Sequence, residues 1–531
     1  MIGDSFYEYI FIRACIFLLQ YTTPLCILGL TVLLIAGGPP VLAWPISGGL
    51  IAYSVVDILY ALFVWIPYNR RLRDEARHPP PLSSEQRWSL FVKTLDHVPN
   101  FDRYLRLWFL GADQNDIQRD NVRDFILWAF FDRTPDSAAF EDLREVDRYV
   151  DAIEEKRGMK LEPGRGNTPS FRLTFDPVET RYRSFIWFIL IGLVDFITHC
   201  QFLWNGFQYY AQPKAKFLSV IPLRVQTLFA RRRSKSAELS YWHRPHTATD
   251  KLPVVFVHGI GIGLWTYGPF LSQLNGSSDD GGQIGIIAVE LLPISFRLTS
   301  SPLTKLEFLR QLGIILESHG WGDFVLATHS YGSVLASHMV RSPEFGPRIK
   351  AAVLVDPVSI MLHQPDVAYN FTRRKPRRAN EWQLWYFASM DPGVAHALGR
   401  HFFWNENVIW KEELLALPQQ LTAQESREPR GSATPENQAT RALAICLSER
   451  DLIVDTMTVA QYLADGESWV PGRGGGGDET GHSEPDRSSN YFLTGDGIEI
   501  LWFPGLDHAQ AFDTPADQER ICKVLRRYCK V

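Results

Sequence analysis

Ser330 stands between an apolar run, Phe324 to Ala327, and a helical pattern that opens with Gly332-Ser333-Val334-Leu335-Ala336. A serine on a tight strand-to-helix turn has its oxygen lifted clear of the sheet, and the next backbone N–H is left free to hold an oxyanion. The chemistry this spacing allows is attack on a carbonyl carbon, with the serine acylated in passing. Such a turn is crowded and wants small residues two before and two after the serine. Gly332 meets that demand, whereas Thr328 occupies the position where glycine is usual.

Acyl transfer further needs a base, an acid to orient it and two oxyanion donors. Three other segments offer them. Leu252 to Val257 reads as a buried strand running into His258-Gly259-Ile260-Gly261-Ile262-Gly263. The strand-like Arg441 to Leu447 ends in Ser448-Glu449-Arg450-Asp451-Leu452-Ile453-Val454, and Gly497 to Phe503 runs into Pro504-Gly505-Leu506-Asp507-His508. The chain order is oxyanion loop, serine, acid, histidine, each just past the C-terminal end of an expected strand. In an open parallel sheet those ends share one edge, where sites form.

Together the four motifs resemble the α/β-hydrolase superfamily over roughly residues 240–531. The resemblance implies an α/β fold with a doubly wound, mostly parallel sheet. It also implies Ser330 as nucleophile, His508 as base and Asp451 as acid. The oxyanion donors would be the N–H groups of Tyr331 and Ile260, with Gly261 as second choice for the latter. Asp356, in Val355-Asp356-Pro357, is an alternative acid, because some lipases place theirs after that strand. Similar layouts, with an anchor, a helical region and a C-terminal hydrolase, occur among uncharacterised fungal proteins.

Competing readings of the same residues fail on spacing. A dinucleotide loop needs a glycine where Leu264 stands and an acidic residue after the next strand. His243-Arg244-Pro245-His246 lacks a carboxylate partner, and the six cysteines form no C-x-x-C pair. No metal or cofactor is expected. His258 and His329 read as structural neighbours of their turns.

A chain of 531 residues has room for two or three structural units, and a net charge of -5 gives no reason to expect nucleic-acid binding. Ala14–Ala36 is apolar enough to span a bilayer, at about 34 Å. Gly37-Gly38-Pro39-Pro40 then turns the chain into a second span, Val41–Ile66, whose one charge is Asp57. Residues 1–70 are thus expected to form a transmembrane hairpin, and Arg70, Arg71 and Arg73 mark its open side as cytosolic.

Residues 83–235 read as a helical accessory region. Within it Phe185–Trp204 is read as an interfacial or re-entrant helix, because Asp195 would be costly at the bilayer centre. Arg231-Arg232-Arg233-Ser234-Lys235 is either a solvated linker or a headgroup contact. An aromatic insertion at 358–417, with Trp382, Trp385, Phe402 and Trp404, falls where hydrolases of this type carry a lid. Residues 418–439 and 471–490 read as low-complexity loops.

The function expected is that of a membrane-anchored serine hydrolase of carboxylic, lipid esters, its partners being membrane lipids and a lipophilic ester. An acyltransferase using the same acyl-enzyme and a non-catalytic lipid-binding scaffold are the alternatives. The catalytic part is expected in the cytosol, where the sequons at Asn275 and Asn370 would stay unmodified. Organelle, headgroup, chain length and oligomeric state are not written in these residues.

Overall fold

The computed structural model describes residues 2–36, 45–276, 282–416, 440–465 and 490–530. The hairpin turn at 37–40 and the stretches 418–439 and 471–489 lie outside the described residues.

Ten described strands form one sheet, in the order β2-β1-β3-β5-β4-β6-β7-β8-β10-β9. Six of them are mutually parallel: β5 (Ile286–Val289), β4 (Val254–Val257), β6 (Phe324–His329), β7 (Ile349–Val355), β8 (Ala442–Ser448) and β10 (Ile498–Phe503). Nearly every residue in these six is buried, because helices cover both faces. That is why the sequence shows continuous Val/Ile/Leu runs there and not alternation. Short strands close the two flanks: β3 (Tyr241–Arg244) pairs antiparallel with β5, β1 (Gln208–Ala211) antiparallel with β3 and β2 (Arg232–Arg233) parallel with β1, while β9 (Tyr491–Leu493) lies antiparallel beside β10. The chain leaves β4 towards β5 and returns to β6 on the opposite side of β4. The order therefore reverses between β4 and β6, and a crevice opens at their C-terminal ends.

A second hydrophobic core lies in the helices Ser84–Asp96, Phe101–Trp108, Arg119–Phe131 and Phe140–Arg157. Phe91, Phe125, Tyr149 and Val150 meet inside it. The first helix starts where Ser83 and Gln86 satisfy each other's backbone N–H groups, at 3.1 and 3.2 Å.

Among the described residues, three helices are long and apolar enough to cross a membrane: Phe6–Leu33, Ser47–Arg71 and Phe185–Trp204. The first belongs to α1 (Phe6–Ala36). The second begins in α2 (Pro45–Tyr60) and runs through a π-turn to Arg71. The third has two faces. Trp187, Phe188, Ile191, Asp195 and Phe202 are buried, while Ile189, Leu190, Leu193, Phe196 and Trp204 are exposed. On its inner face the Asp195 carboxylate accepts hydrogen bonds from Arg224 Nε at 2.9 Å and Arg297 Nη2 at 2.8 Å. Arg224 in turn holds Glu290 at 2.8 Å. At the other end of the helix, Phe185 N–H donates to Asp57 Oδ1 at 2.7 Å, so the one charge in α2 caps a neighbouring helix.

Two basic segments are tied into the fold in part. Arg183 is fully buried against the Tyr386 ring, 3.7 Å from its centroid. Arg233 donates to the carbonyls of Gln212 and Leu228, leaving Arg231, Arg232 and Lys235 as the exposed cations of that run.

Candidate active site

Ser330 follows β6 with φ +51°, the left-handed conformation a tight strand-to-helix turn imposes on its apex. The helix Gly332–Arg341 begins at once, so close to β4 that a Cβ at Gly332 would collide with the Val257 carbonyl. Thr328 lies within β6, buried and paired with Val257 and Leu354, so the sheet rather than the turn accommodates its bulk. In the loop after β4, a Cβ at Gly259 would stand 2.7 Å from the Ser330 Cβ. Both glycines are required by close approach.

The residues singled out from sequence converge at this edge. Ser330 Oγ lies 2.8 Å from His508 Nε2, and His508 Nδ1 lies 2.7 Å from Asp451 Oδ2. A carboxylate only accepts, so Nδ1 carries the proton and Nε2 is left to receive one from the serine. The second Asp451 oxygen accepts from the N–H groups of Ile453 and Val454, at 2.7 and 2.9 Å. The Leu-Ile-Val tail after the acid is therefore the backbone cradle that aims it.

Asp356 sits near by, but its carboxylate is used differently. It accepts from Ser448 N–H at 3.0 Å, Ser448 Oγ at 3.1 Å and Ala509 N–H at 2.9 Å, joining the loops after β7, β8 and β10. Burial, with the charge of Asp451 adding to it, pushes Asp356 up to about 6.

Ile260 and Tyr331 border the same cavity as Ser330, and neither backbone N–H has a partner among the described residues. The N–H of Gly261 donates to Ile294 O at 3.2 Å, which removes the second choice from contention. His258 holds the Gly259–Gly263 loop in place: Nε2 accepts from Leu291 N–H at 2.9 Å, so Nδ1 donates to Gly259 O at 2.7 Å. His329 is buried against Tyr267 Oη at 2.8 Å, and desolvation holds its pKa well below the ordinary histidine value. His246 Nδ1 accepts from Gly285 N–H. Asp356, Asp451 and His508 are also close enough to share an ion, although most of their facing atoms are engaged with one another or with backbone.

Burial works against a charge on His508, but the Asp451 carboxylate outweighs it, with Asp356 and Asp507 adding to the effect. The imidazole is pushed up to about 9. Only the neutral ring can take a proton from Ser330, so ester hydrolysis is expected to rise with pH through an apparent pKa above the ordinary 6.5. Asp451→Asn is expected to move that inflection down. A kcat/KM profile already flat from pH 6 upward in the unaltered protein would contradict this electrostatic picture.

Ser330 opens into a cavity of about 820 Å³ with almost wholly apolar walls. Residues of the 358–417 insertion, among them Val358, Phe371, Leu398 and Phe402, line it, and the helical region contributes Trp108, Trp128 and Leu173.

Two further residues belong to this arrangement. The buried Asp507 carboxylate accepts from Leu452 N–H at 2.9 Å, its neighbour His508 N–H at 2.7 Å and Asn380 Nδ2 at 3.0 Å. It thereby binds the acid loop, the base loop and the helix Ala379–Gln383 into one unit. A second acid beside the expected base was the available signal for Asp507. Asn380, 127 residues away, offered none.

Residues 254–490 match the Alpha/beta hydrolase family. This segment of the chain carries the α/β-hydrolase fold. Solved structures similar to it include a carboxylesterase of Nitrososphaera gargenis, 14% identical over 55% of this chain and 95% of that one, with a TM-score of 0.32. The naproxen esterase of Bacillus subtilis is 14% identical over 63% and 98%, TM-score 0.33. A bacterial membrane phospholipase A is 11% identical over 64% and 94%, TM-score 0.35. No protein of curated function matches the sequence.

Proposed function

We propose that the protein is a membrane-anchored serine hydrolase that cleaves carboxylic esters of lipids. The observation that carries this reading is the hydrogen-bonded chain Ser330–His508–Asp451, 2.8 and 2.7 Å long, at the mouth of an apolar cavity.

Ser330 Oγ attacks the ester carbonyl carbon while its proton passes to His508 Nε2. The carbonyl oxygen becomes an oxyanion held by the N–H groups of Ile260 and Tyr331. When the C–O bond to the alcohol breaks, His508 gives its proton to the departing oxygen and an acyl-serine remains. Water, deprotonated by the same imidazole, then attacks the acyl carbon, and Ser330 recovers its proton as the acid leaves. Asp451 stays ionised throughout and stabilises the imidazolium.

A lipid ester fits because the acyl arm would lie along Val358, Phe371, Leu398 and Phe402, where apolar contact is worth about 25 cal/mol per Å² buried. In the same reading α1 and the helix beginning at α2 span the bilayer. Phe185–Trp204 lies at its surface, since a helix tied through Asp195 to Arg224 and Arg297 cannot leave the domain without exposing a broken ion-pair network. Arg70, Arg71 and Arg73 put the catalytic residues on the cytosolic side.

The two sequons are poor reporters of that side. Asn275 Nδ2 donates to Ile284 O at 3.0 Å and Asn370 Nδ2 to Ile453 O at 3.1 Å, so either amide is occupied whatever the compartment. Sealed microsomes treated with a membrane-impermeant fluorophosphonate test nucleophile and topology together. Labelling of Ser330 without detergent is the expected result. Labelling only after permeabilisation would put the domain in the lumen, and no labelling in either condition would remove Ser330 as nucleophile.

A further inference from the structure

A second cavity, of about 730 Å³, reaches the same turn from the other side of Tyr331. Tyr331 lines both spaces, is 8% exposed, and its hydroxyl has no hydrogen-bond partner among the described residues. The two cavities differ in chemistry. The walls of the second include Leu292, Ile294 and Leu335, and also the hydroxyl-bearing Ser219, Ser300 and Ser301.

The charges along its wall are matched in pairs. Lys216 Nζ lies 2.8 Å from Glu238 Oε2, and Glu290 accepts from Arg224 at 2.8 Å and from Ser240 Oγ at 2.5 Å. A phosphate placed here would meet two carboxylates and no uncompensated cation, whereas neutral hydroxyls would meet side chains able to donate and accept. Leu218 and Leu306, close to wall residues in sequence, are each 77% exposed.

An ester bound at Ser330 has two arms, and the apolar cavity suits only one of them. We propose that the second cavity is the alcohol subsite and takes an uncharged, hydroxyl-rich alcohol such as glycerol, with the Tyr331 hydroxyl bonding it where the cavities meet. This deepens the serine-hydrolase reading and rests on it. The substrate becomes a neutral polyol ester of a long-chain acid.

Binding tests the subsite without requiring turnover. Full-length Ser330→Ala protein in detergent micelles is titrated with 1-O-hexadecylglycerol, an ether that cannot be cleaved, and with hexadecan-1-ol. The glycerol ether is expected to bind at least tenfold more tightly. Tyr331→Phe and Ser301→Trp, each added to Ser330→Ala, are expected to erase that difference. Ser301 is exposed, so its variant does not depend on repacking the core. In the active protein, kcat/KM for 1-palmitoylglycerol is expected to exceed that for methyl palmitate at least tenfold.

Glu238→Gln leaves Lys216 unmatched, and is expected to raise the relative kcat/KM for 1-palmitoylglycerol-3-phosphate by tenfold or more. Equal binding of ether and alcohol, or a binding difference untouched by both cavity variants, would overturn the subsite. So would a preference of the unaltered protein for the phosphate ester. Tight, variant-sensitive binding of the ether by a protein that hydrolyses no ester would leave the subsite standing and sink the hydrolase reading instead.

Discussion

Ser330→Ala is expected to leave a folded protein whose kcat on esters falls by about a millionfold, the scale seen when a hydrolase loses its nucleophile. The side chain has one hydrogen-bond partner, His508 Nε2 at 2.8 Å, so its removal should shift stability by only about 1 kcal/mol. Fold and rate are thereby separated. Circular dichroism and a melting curve should overlay those of the unaltered protein while turnover vanishes. A folded variant that keeps a few per cent of the activity would show that another group attacks the carbonyl.

The two buried aspartates should separate in the opposite way. Asp451→Asn puts an amide against His508 Nδ1, favours the wrong tautomer, and is expected to lower kcat by about 10⁴ with little change in stability. Asp356 touches neither the serine nor Nδ1. Its carboxylate accepts three hydrogen bonds from Ser448 and Ala509, and Asp356→Asn would turn an NH₂ group towards a donor. That should cost about 1–3 kcal/mol of stability and no more than about tenfold in kcat. Urea denaturation and steady-state kinetics on the two variants check both halves. A reversed ranking would make Asp356 the acid.

The positions of Ser330, His508, Asp451 and the Gly259–Gly263 loop were legible because each stands at the end of a short apolar run, and strand ends in a parallel sheet are brought together by topology alone. Asp451 was preferred to Asp356 through the resemblance, not through anything the residues themselves decide. Both follow buried strands, β8 and β7, and what separates them is which oxygen faces Nδ1 across 57 residues of chain. The partners of Asp195 were equally hidden. A helix apolar on one side with an acid on the other can be read from periodicity, but Arg224 and Arg297 lie 29 and 102 residues on and carry no local pattern. The aromatic insertion was read as a lid, with ordinary core as the alternative. Phe402 and Leu398 are buried and also wall the cavity, so packing and site are the same surface there. The ring of small-residue positions around Ser330 was legible except at Thr328, where the ladder absorbs the side chain.

Part of the wall of the apolar cavity is built from Trp108, Trp128 and Leu173, which lie more than 150 residues before Ser330 in the chain. Bond-breaking groups and the residues that would measure the length of an acyl chain are thus encoded in separate stretches. Selection acting on residues 100–175 can retune which chains are accepted while the reactive turn stays untouched. A descendant trimmed back to residue 240 would inherit the reactive groups and lose the yardstick.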